Sequence, residues 1–170
     1  MKTKLPNASH CFVCGVENQL GLQMYFYVNE ERHVESQFVI AEHFQGYPGV
    51  AHGGIVATIL DETLARSLMA DDPDRFLFTG RLTTRYRKPT PVGQPLRAVG
   101  VVIKDRGRMA ECASFLYDMN GELLAQAEGL MINLPPEMPH PNSFEGMSWK
   151  VYPDAEAEMD EQYPEKENDL

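Results

Sequence analysis

Cysteine is scarce in this 170-residue chain: Cys11, Cys14 and Cys112 are all it has. An odd, small number excludes a disulfide framework. Cys11 and Cys14 have the spacing of zinc ligands, but a closed structural site needs four and no second Cys-x-x-Cys follows, so no metal is expected. No apolar stretch reaches the roughly 18 residues that a membrane-spanning helix needs. The opening Met1-Lys2-Thr3-Lys4-Leu5-Pro6 is charged but leads into no apolar segment, which argues against a secretory signal and makes a cytoplasmic location the expectation. Positive charge is in deficit, with 15 Lys and Arg against 25 Asp and Glu and a net charge of −10. That balance argues against nucleic acid as a partner. Internal repeats are also lacking.

What is present divides into two parts. Residues 135–170 carry ten Asp or Glu and two Lys, a net of −8 that leaves −2 for residues 1–134. The 43% of apolar residues suffices for one buried core. Residues 1–134 therefore read as one domain. Residues 135–170 read as an acidic, Pro-rich C-terminal extension, partly disordered, with Phe144, Met147, Trp149, Val151 and Tyr152 able to pack on the domain.

Within 1–134 the hydrophobic pattern changes period. Leu22, Met24, Phe26 and Val28 alternate with polar positions and predict a half-buried strand; a second follows over His33 to Ile40, giving a hairpin. Glu42 to Ala51 contains two glycines and a proline and reads as loop. The apolar run after Ala51-His52-Gly53-Gly54 predicts a helix from Gly53 to Ala70, stopped at Asp71-Asp72-Pro73. Four strands are then expected: 75–87, 95–104, 109–118 and 122–134. In the first, Phe76, Phe78, Leu82 and Tyr86 would share one face, with Thr79, Arg81, Arg85 and Arg87 on the other. Asn120-Gly121 marks a hairpin turn. The class is α+β: an antiparallel sheet of about six strands wrapped around one central helix.

The helix carries two adjacent acids that a helical wheel separates. Glu62 has Thr58 and Arg66 four positions to either side and reads as the solvated member of an ion pair. Asp61 has Ala57, Thr58, Leu64 and Ala65 as its helical neighbours and no cation. A carboxylate on an apolar face is costly unless it is hydrogen-bonded or used, so a structural Asp and a catalytic one are both open. The amino end of the helix, at Gly53 and Gly54, offers unpartnered N–H groups and a positive dipole end, suited to polarising a carbonyl or holding an oxyanion. His52 beside it would orient the loop or a substrate. Asp61 lies about 12 Å along the axis from Gly53. A site that uses both is easier to build between two subunits.

These residues carry a resemblance. His52-Gly53-Gly54 with an acid at Asp61, inside a strand-strand-helix-strands order, resembles the hotdog-fold acyl-CoA thioesterases of the 4-hydroxybenzoyl-CoA and phenylacetate-pathway superfamily. Cys11-Phe12-Val13-Cys14-Gly15 with Asn18 and Gly21-Leu22 resembles the lead-in of one subgroup of that family. The likeness covers roughly residues 10–134 and includes Tyr86 and Pro89. It implies a hotdog fold, thioester hydrolysis and sites shared between subunits of a homodimer or a dimer of dimers. By residue, it implies Asp61 as nucleophile or general base, Gly53 or Gly54 as the N–H that polarises the thioester carbonyl, and Thr79 as the hydroxyl that positions water. Arg87, Lys88, Arg106 and Arg108 would hold the phosphates of coenzyme A, which enters as part of the substrate, with no separate cofactor. The family's Asn six residues before the His is replaced by Gly46, and Gln45 is the candidate for its amide. His43 is a further substrate-binding candidate, because His43-Phe44-Gln45-Gly46-Tyr47-Pro48 also resembles the loop of hotdog dehydratases. A hydratase or dehydratase is thus an alternative, although the helical acid such enzymes place fourteen residues later is replaced by Ala57. A non-catalytic acyl-CoA binding protein is a third.

Overall fold

The computed structural model describes residues 2–135, 137–138 and 148–153. Nine strands and one α-helix follow in chain order: β1 (Thr3–Lys4), β2 (Tyr27–Val28), β3 (Val34–Val39), β4 (Gln45–Tyr47), β5 (Val50–Ala51), α1 (Gly53–Arg66), β6 (Leu77–Tyr86), β7 (Pro95–Asp105), β8 (Met109–Asp118) and β9 (Leu123–Asn133). Seven of these strands form one antiparallel sheet in the order β1-β2-β3-β7-β8-β9-β6. The helix lies across one face of it, against β3, β6, β7, β8 and β9, so the expected sheet around one helix is what the chain forms. The expected six strands become seven because the amino-terminal Thr3 and Lys4 pair with Val28 and Tyr27.

The helix docks through Val56, Ile59, Leu60, Thr63 and Leu64, all buried. Small residues in the sheet permit its close approach. A Cβ on Gly100 of β7 would stand 2.2 Å from the Thr63 carbonyl oxygen, and one on Gly129 of β9 would stand 2.8 Å from Leu64 Cδ1. Ser114 of β8 donates a buried hydrogen bond to the Leu60 carbonyl at 2.8 Å. Helix and sheet are thus locked by backbone contact as well as by apolar burial. The last turn, Ser67–Ala70, tightens to a 3-10 helix, which shortens the α-helix below its expected end at Ala70. No helix among the described residues is long and apolar enough to cross a membrane.

Several sequence expectations are corrected. Of the strand expected over Leu22 to Val28, only Tyr27–Val28 joins the ladder. The Leu22 and Met24 N–H groups bond instead to the Phe12 and Val13 carbonyls. The loop before the helix is more ordered than glycine and proline suggest: a 3-10 turn at Glu42–Phe44 leads into the small β4–β5 ladder. At Asn120-Gly121, only Gly121 takes a positive φ, of 85°.

The largest correction concerns β6. Its register against β9 slips between Thr79 and Arg81, making Gly80 an extra residue in a bulge. The strand's two faces exchange there. Leu77 and Thr79 before the bulge, and Leu82 after it, face the helix, while Phe78 is 42% exposed on the outside. Glycine suits the bulge because a Cβ there would stand 2.5 Å from Ile132 Cδ1.

The described end of the chain returns to the domain. Asn7 and Lys150 exchange backbone hydrogen bonds of 2.8 and 3.2 Å, and Trp149 packs on Phe76 with ring centroids 5.1 Å apart. Val151 is exposed, and Tyr152 donates to the Ser148 carbonyl. Phe144, Met147 and the stretch expected to be partly disordered lie outside the described residues.

Candidate active site

Asp61 sits at the middle of the helix, on the side turned toward β6. The bulge swings Thr79 inward, and its Oγ1 donates to Asp61 Oδ1 at 2.7 Å. The same hydroxyl lies 3.8 Å from Met131 Sδ. Burial pushes the Asp61 carboxyl above the ordinary carboxylate range; the Thr79 hydrogen bond pulls it back, and the nearby Glu62 charge adds to the rise. A carboxylate with a raised proton affinity and one fixed donor is suited to attack or to take a proton from water.

Glu62, one residue on, differs from the expectation of a solvated acid. Its side chain is 22% exposed, and Arg66, expected at the surface with it, is 2% exposed. Arg66 Nε donates to Glu62 Oε1 at 2.8 Å and Nη1 donates to the Pro6 carbonyl at 2.6 Å. Its guanidinium lies 5.0 Å from the Phe26 ring and 4.7 Å from the Trp149 ring. The helical wheel pairs the two residues correctly but cannot know that Pro6 and Trp149, remote in the chain, close over them.

The amino end of the helix separates the two glycine candidates. His52 is the N-cap, and its Nδ1 accepts from the Gly54 N–H at 3.0 Å. An accepting Nδ1 leaves the neutral ring's proton on Nε2. The Gly54 N–H is therefore engaged, whereas the Gly53 N–H has no hydrogen-bond partner among the described residues. The Gly53 carbonyl accepts from the Tyr86 hydroxyl at 2.8 Å. Tyr86 is a site residue that the sequence offers only as part of the family likeness and as a face-mate of Leu82; its alternation with Leu82 is the signal that points it toward the helix.

The loop candidates lie apart from Asp61. His43 is exposed, its ring packed on Phe44 at 4.1 Å. Gln45 is exposed, and its Oε1 accepts from the Gly49 N–H at 3.2 Å. Gly46 backs directly onto His52: a Cβ there would stand 3.2 Å from His52 Cα. A side chain at that position would need His52 to give by a few tenths of an ångström.

The four cations do not form one cluster within the chain. Arg87 and Lys88 follow the end of β6, whereas Arg106 and Arg108 lie in the β7–β8 turn beside its start. The ten residues of β6 separate the two pairs by about 30 Å. Arg87 Nε donates to Gln126, Lys88 pairs with Glu122, and Arg106 Nη2 lies 3.2 Å from Glu111. Arg87 and Lys88 lie in the β6–β7 connection and Arg106 and Arg108 in the β7–β8 hairpin turn, at opposite ends of β6.

Residues 48–125 match the family model described as the thioesterase superfamily. Over 130 residues, the chain is 29% identical to the mouse (Mus musculus) acyl-coenzyme A thioesterase THEM4, a match covering 75% of this chain and 55% of that protein. The chain thus spans about half the length of the curated relatives it matches. A thioesterase superfamily protein of known structure superposes with a TM-score of 0.67 at 29% identity, covering 72% of this chain and 63% of the other. A Streptococcus mutans protein solved with acetyl CoA bound superposes with a TM-score of 0.58 at 19% identity, covering 65% and 88%.

Proposed function

We propose, from the premise that the chain is a hotdog-fold member of the thioesterase superfamily, that it hydrolyses an acyl-CoA thioester to the free acid and CoA. The observation that carries this reading is Asp61, held by Thr79 at 2.7 Å on a helix whose Gly53 N–H is unpartnered among the described residues. The Gly53 N–H and the helix dipole polarise the thioester carbonyl and hold the oxyanion. The Asp61 carboxylate either attacks the carbonyl carbon, forming an anhydride that water then opens, or takes a proton from the attacking water. In both routes the C–S bond breaks and the CoA sulfur leaves to be protonated. The reading needs no cofactor beyond the CoA of the substrate.

One subunit cannot bring these groups together, because about 12 Å of helix separates them. Among the described residues β6 is an edge strand of the sheet, where a second copy can pair. An antiparallel pair centred on Thr83 sets Leu82 opposite Thr84 and Arg81 opposite Arg85. With Gly80 bulged out, Thr79 then faces Tyr86 of the partner subunit. All these pairs agree in face, as directly opposed residues must. Thr79 carries Asp61 and Tyr86 carries Gly53, so the pairing sets the acid of one subunit beside the open N–H of the other. It also brings Arg106 and Arg108 of one subunit to the same end of the joined sheet as the partner's Arg87 and Lys88, where CoA phosphates would lie. The dehydratase alternative has no support from its His: His43 is exposed against Phe44 and position 57 is Ala.

The test is free-thiol release from a panel of acyl-CoAs by the wild type and Asp61→Asn. Hydrolysis lost with binding retained supports the reading. Hydrolysis unchanged in Asp61→Asn removes Asp61 from the reaction. Binding without turnover in the wild type leaves a binding protein, and hydration of crotonyl-CoA that depends on His43 leaves a hydratase.

A further inference from the structure

The Cys11–Cys14 loop is left over from the hydrolysis reading, and it is built in unusual detail. Residues 11–15 form a single closed turn in which the Gly15 N–H bonds the Cys11 carbonyl at 2.9 Å. Only glycine can close it, since a Cβ at position 15 would lie 2.3 Å from that carbonyl oxygen. The turn sets Cys11 Sγ, Cys14 Sγ and a Glu62 carboxylate oxygen all within 4.8 Å of one another. The Val13 N–H points at Cys11 Sγ from 3.4 Å.

The two sulfurs are not equivalent. Cys11 is half-buried and Cys14 is 1% exposed. Both border a cavity of about 180 Å³ that Glu62, Arg66, Phe76 and Trp149 also line. The Cys14 thiol, donating to Cys11 Sγ, is the main cause that lowers Cys11 to about 7, with the Cys14 and Val13 N–H groups adding to it. The reciprocal bond and burial push Cys14 up. An accessible thiolate with a protonated thiol behind it is the division of labour that thiol–disulfide exchange requires.

We propose that Cys11 and Cys14 form a redox-active dithiol that reacts with low-molecular-weight disulfides. The Cys11 thiolate attacks one sulfur of a disulfide RSSR; that S–S bond breaks, and one RS⁻ leaves and takes a proton from solvent. Cys14 then loses its proton to solvent and attacks Cys11 Sγ. The mixed disulfide breaks, the second RS⁻ leaves and is protonated, and the Cys11–Cys14 bond forms. The protein is oxidised by two electrons, and RSSR is reduced to two RSH. A metal on the same atoms is disfavoured, because the third ligand, Glu62, is already paired with the buried Arg66 guanidinium, which would stand beside the added cation.

The test uses the reduced full-length protein and oxidised glutathione, with coenzyme A disulfide as a parallel arm. Mass spectrometry of the wild type should show loss of two hydrogens and a Cys11–Cys14 bridge, with Cys112, fully buried, still free. Cys14→Ser should stop at one adduct on Cys11, and Cys11→Ser should form none. If these variants fold poorly, iodoacetamide labelling of the wild type decides: Cys11 should react at least tenfold faster than Cys112 at neutral pH, with a midpoint near 7. Labelling of Cys11 no faster than Cys112, or a wild type that keeps both thiols in excess disulfide, would overturn the proposal. So would stoichiometric zinc that protects both thiols from alkylation, which would make the loop a metal site. A reaction in one arm only identifies which disulfide the cavity admits.

Discussion

Replacing Thr79 by Val tests the site most directly, because it removes one hydrogen bond and little volume. In the structure, Thr79 Oγ1 donates to Asp61 Oδ1 at 2.7 Å. A hydrogen bond to a charged group contributes about 1.5–3 kcal/mol when fully buried. Asp61 is only half-buried, and solvent screening lowers that to about 1 kcal/mol. The bond stabilises the ionised carboxylate, so its loss raises a proton affinity that burial has already raised. A change of about 1 kcal/mol is roughly fivefold in an equilibrium constant. At a pH on the acid limb of the kcat/KM profile, Thr79→Val should therefore lose about fivefold in rate, with the limb displaced to higher pH. Thr79→Ser keeps the hydroxyl and should follow the wild type. The assay is thiol release from acyl-CoA across pH, with thermal melts to show that each variant is folded. An acid limb that stays in place, or moves to lower pH, in a folded Thr79→Val protein would refute the electrostatic role assigned to this hydroxyl.

The same raised carboxyl costs stability, which gives a second test. Because burial makes the folded state hold the proton more tightly than an ordinary carboxyl does, ionising Asp61 is disfavoured by folding; the cost is absent below the ordinary carboxyl range and complete above the folded pKa. Asp61→Asn should thus raise Tm at pH 7 while abolishing hydrolysis, and the gain should vanish below about pH 4; a lower Tm at pH 7 would contradict the burial argument. Glu62→Gln leaves the buried Arg66 without its counter-charge and should lower stability by about 2–3 kcal/mol in denaturant titration, a loss that a surface pair would not show. Gly100→Ala drives a Cβ into the Thr63 carbonyl and should destabilise by about 1–3 kcal/mol; a neutral effect would mean that the helix is not seated so closely. In the proposed β6 pairing of two copies, Thr83→Cys sets two cysteines at a Cα separation of about 4.5–5.5 Å, within disulfide range, and should cross-link to a covalent dimer on non-reducing gels. Absence of that species under oxidising conditions would refute the Thr83 register.

The helix and its odd carboxylate were legible because they rest on local pattern: a glycine-rich turn, a long apolar run, and an acid without a cation in helical reach. The order of strands followed from short turns and alternating residues. The β6 error shows where such reading ends. Alternation counts residues, and one bulged glycine reverses the count, so alternation sets Thr79 and Leu82 on opposite faces although both face the helix. The short strand at Tyr27–Val28 fails in a similar way, since the Cys11–Gly15 loop takes the backbone bonds that a neighbouring strand would have used. The burial of Arg66 is not legible in its helix because its cover comes from Pro6, Phe26 and Trp149, which are remote in the chain.

The chain alone determined that one helix begins at a glycine pair, carries an acid two turns in, and is enclosed by antiparallel strands, because helical and strand periods are properties of neighbouring residues. Tertiary structure decided which hydroxyl holds Asp61, which glycine N–H stays open, that Glu62 serves a buried guanidinium, and that the cations split between two ends of the sheet. Those outcomes depend on a bulge, a cap, a returning chain end and a strand direction. Apart from the cap, which joins His52 to Gly54, each is set by atoms far apart in sequence competing for the same hydrogen bonds and the same space.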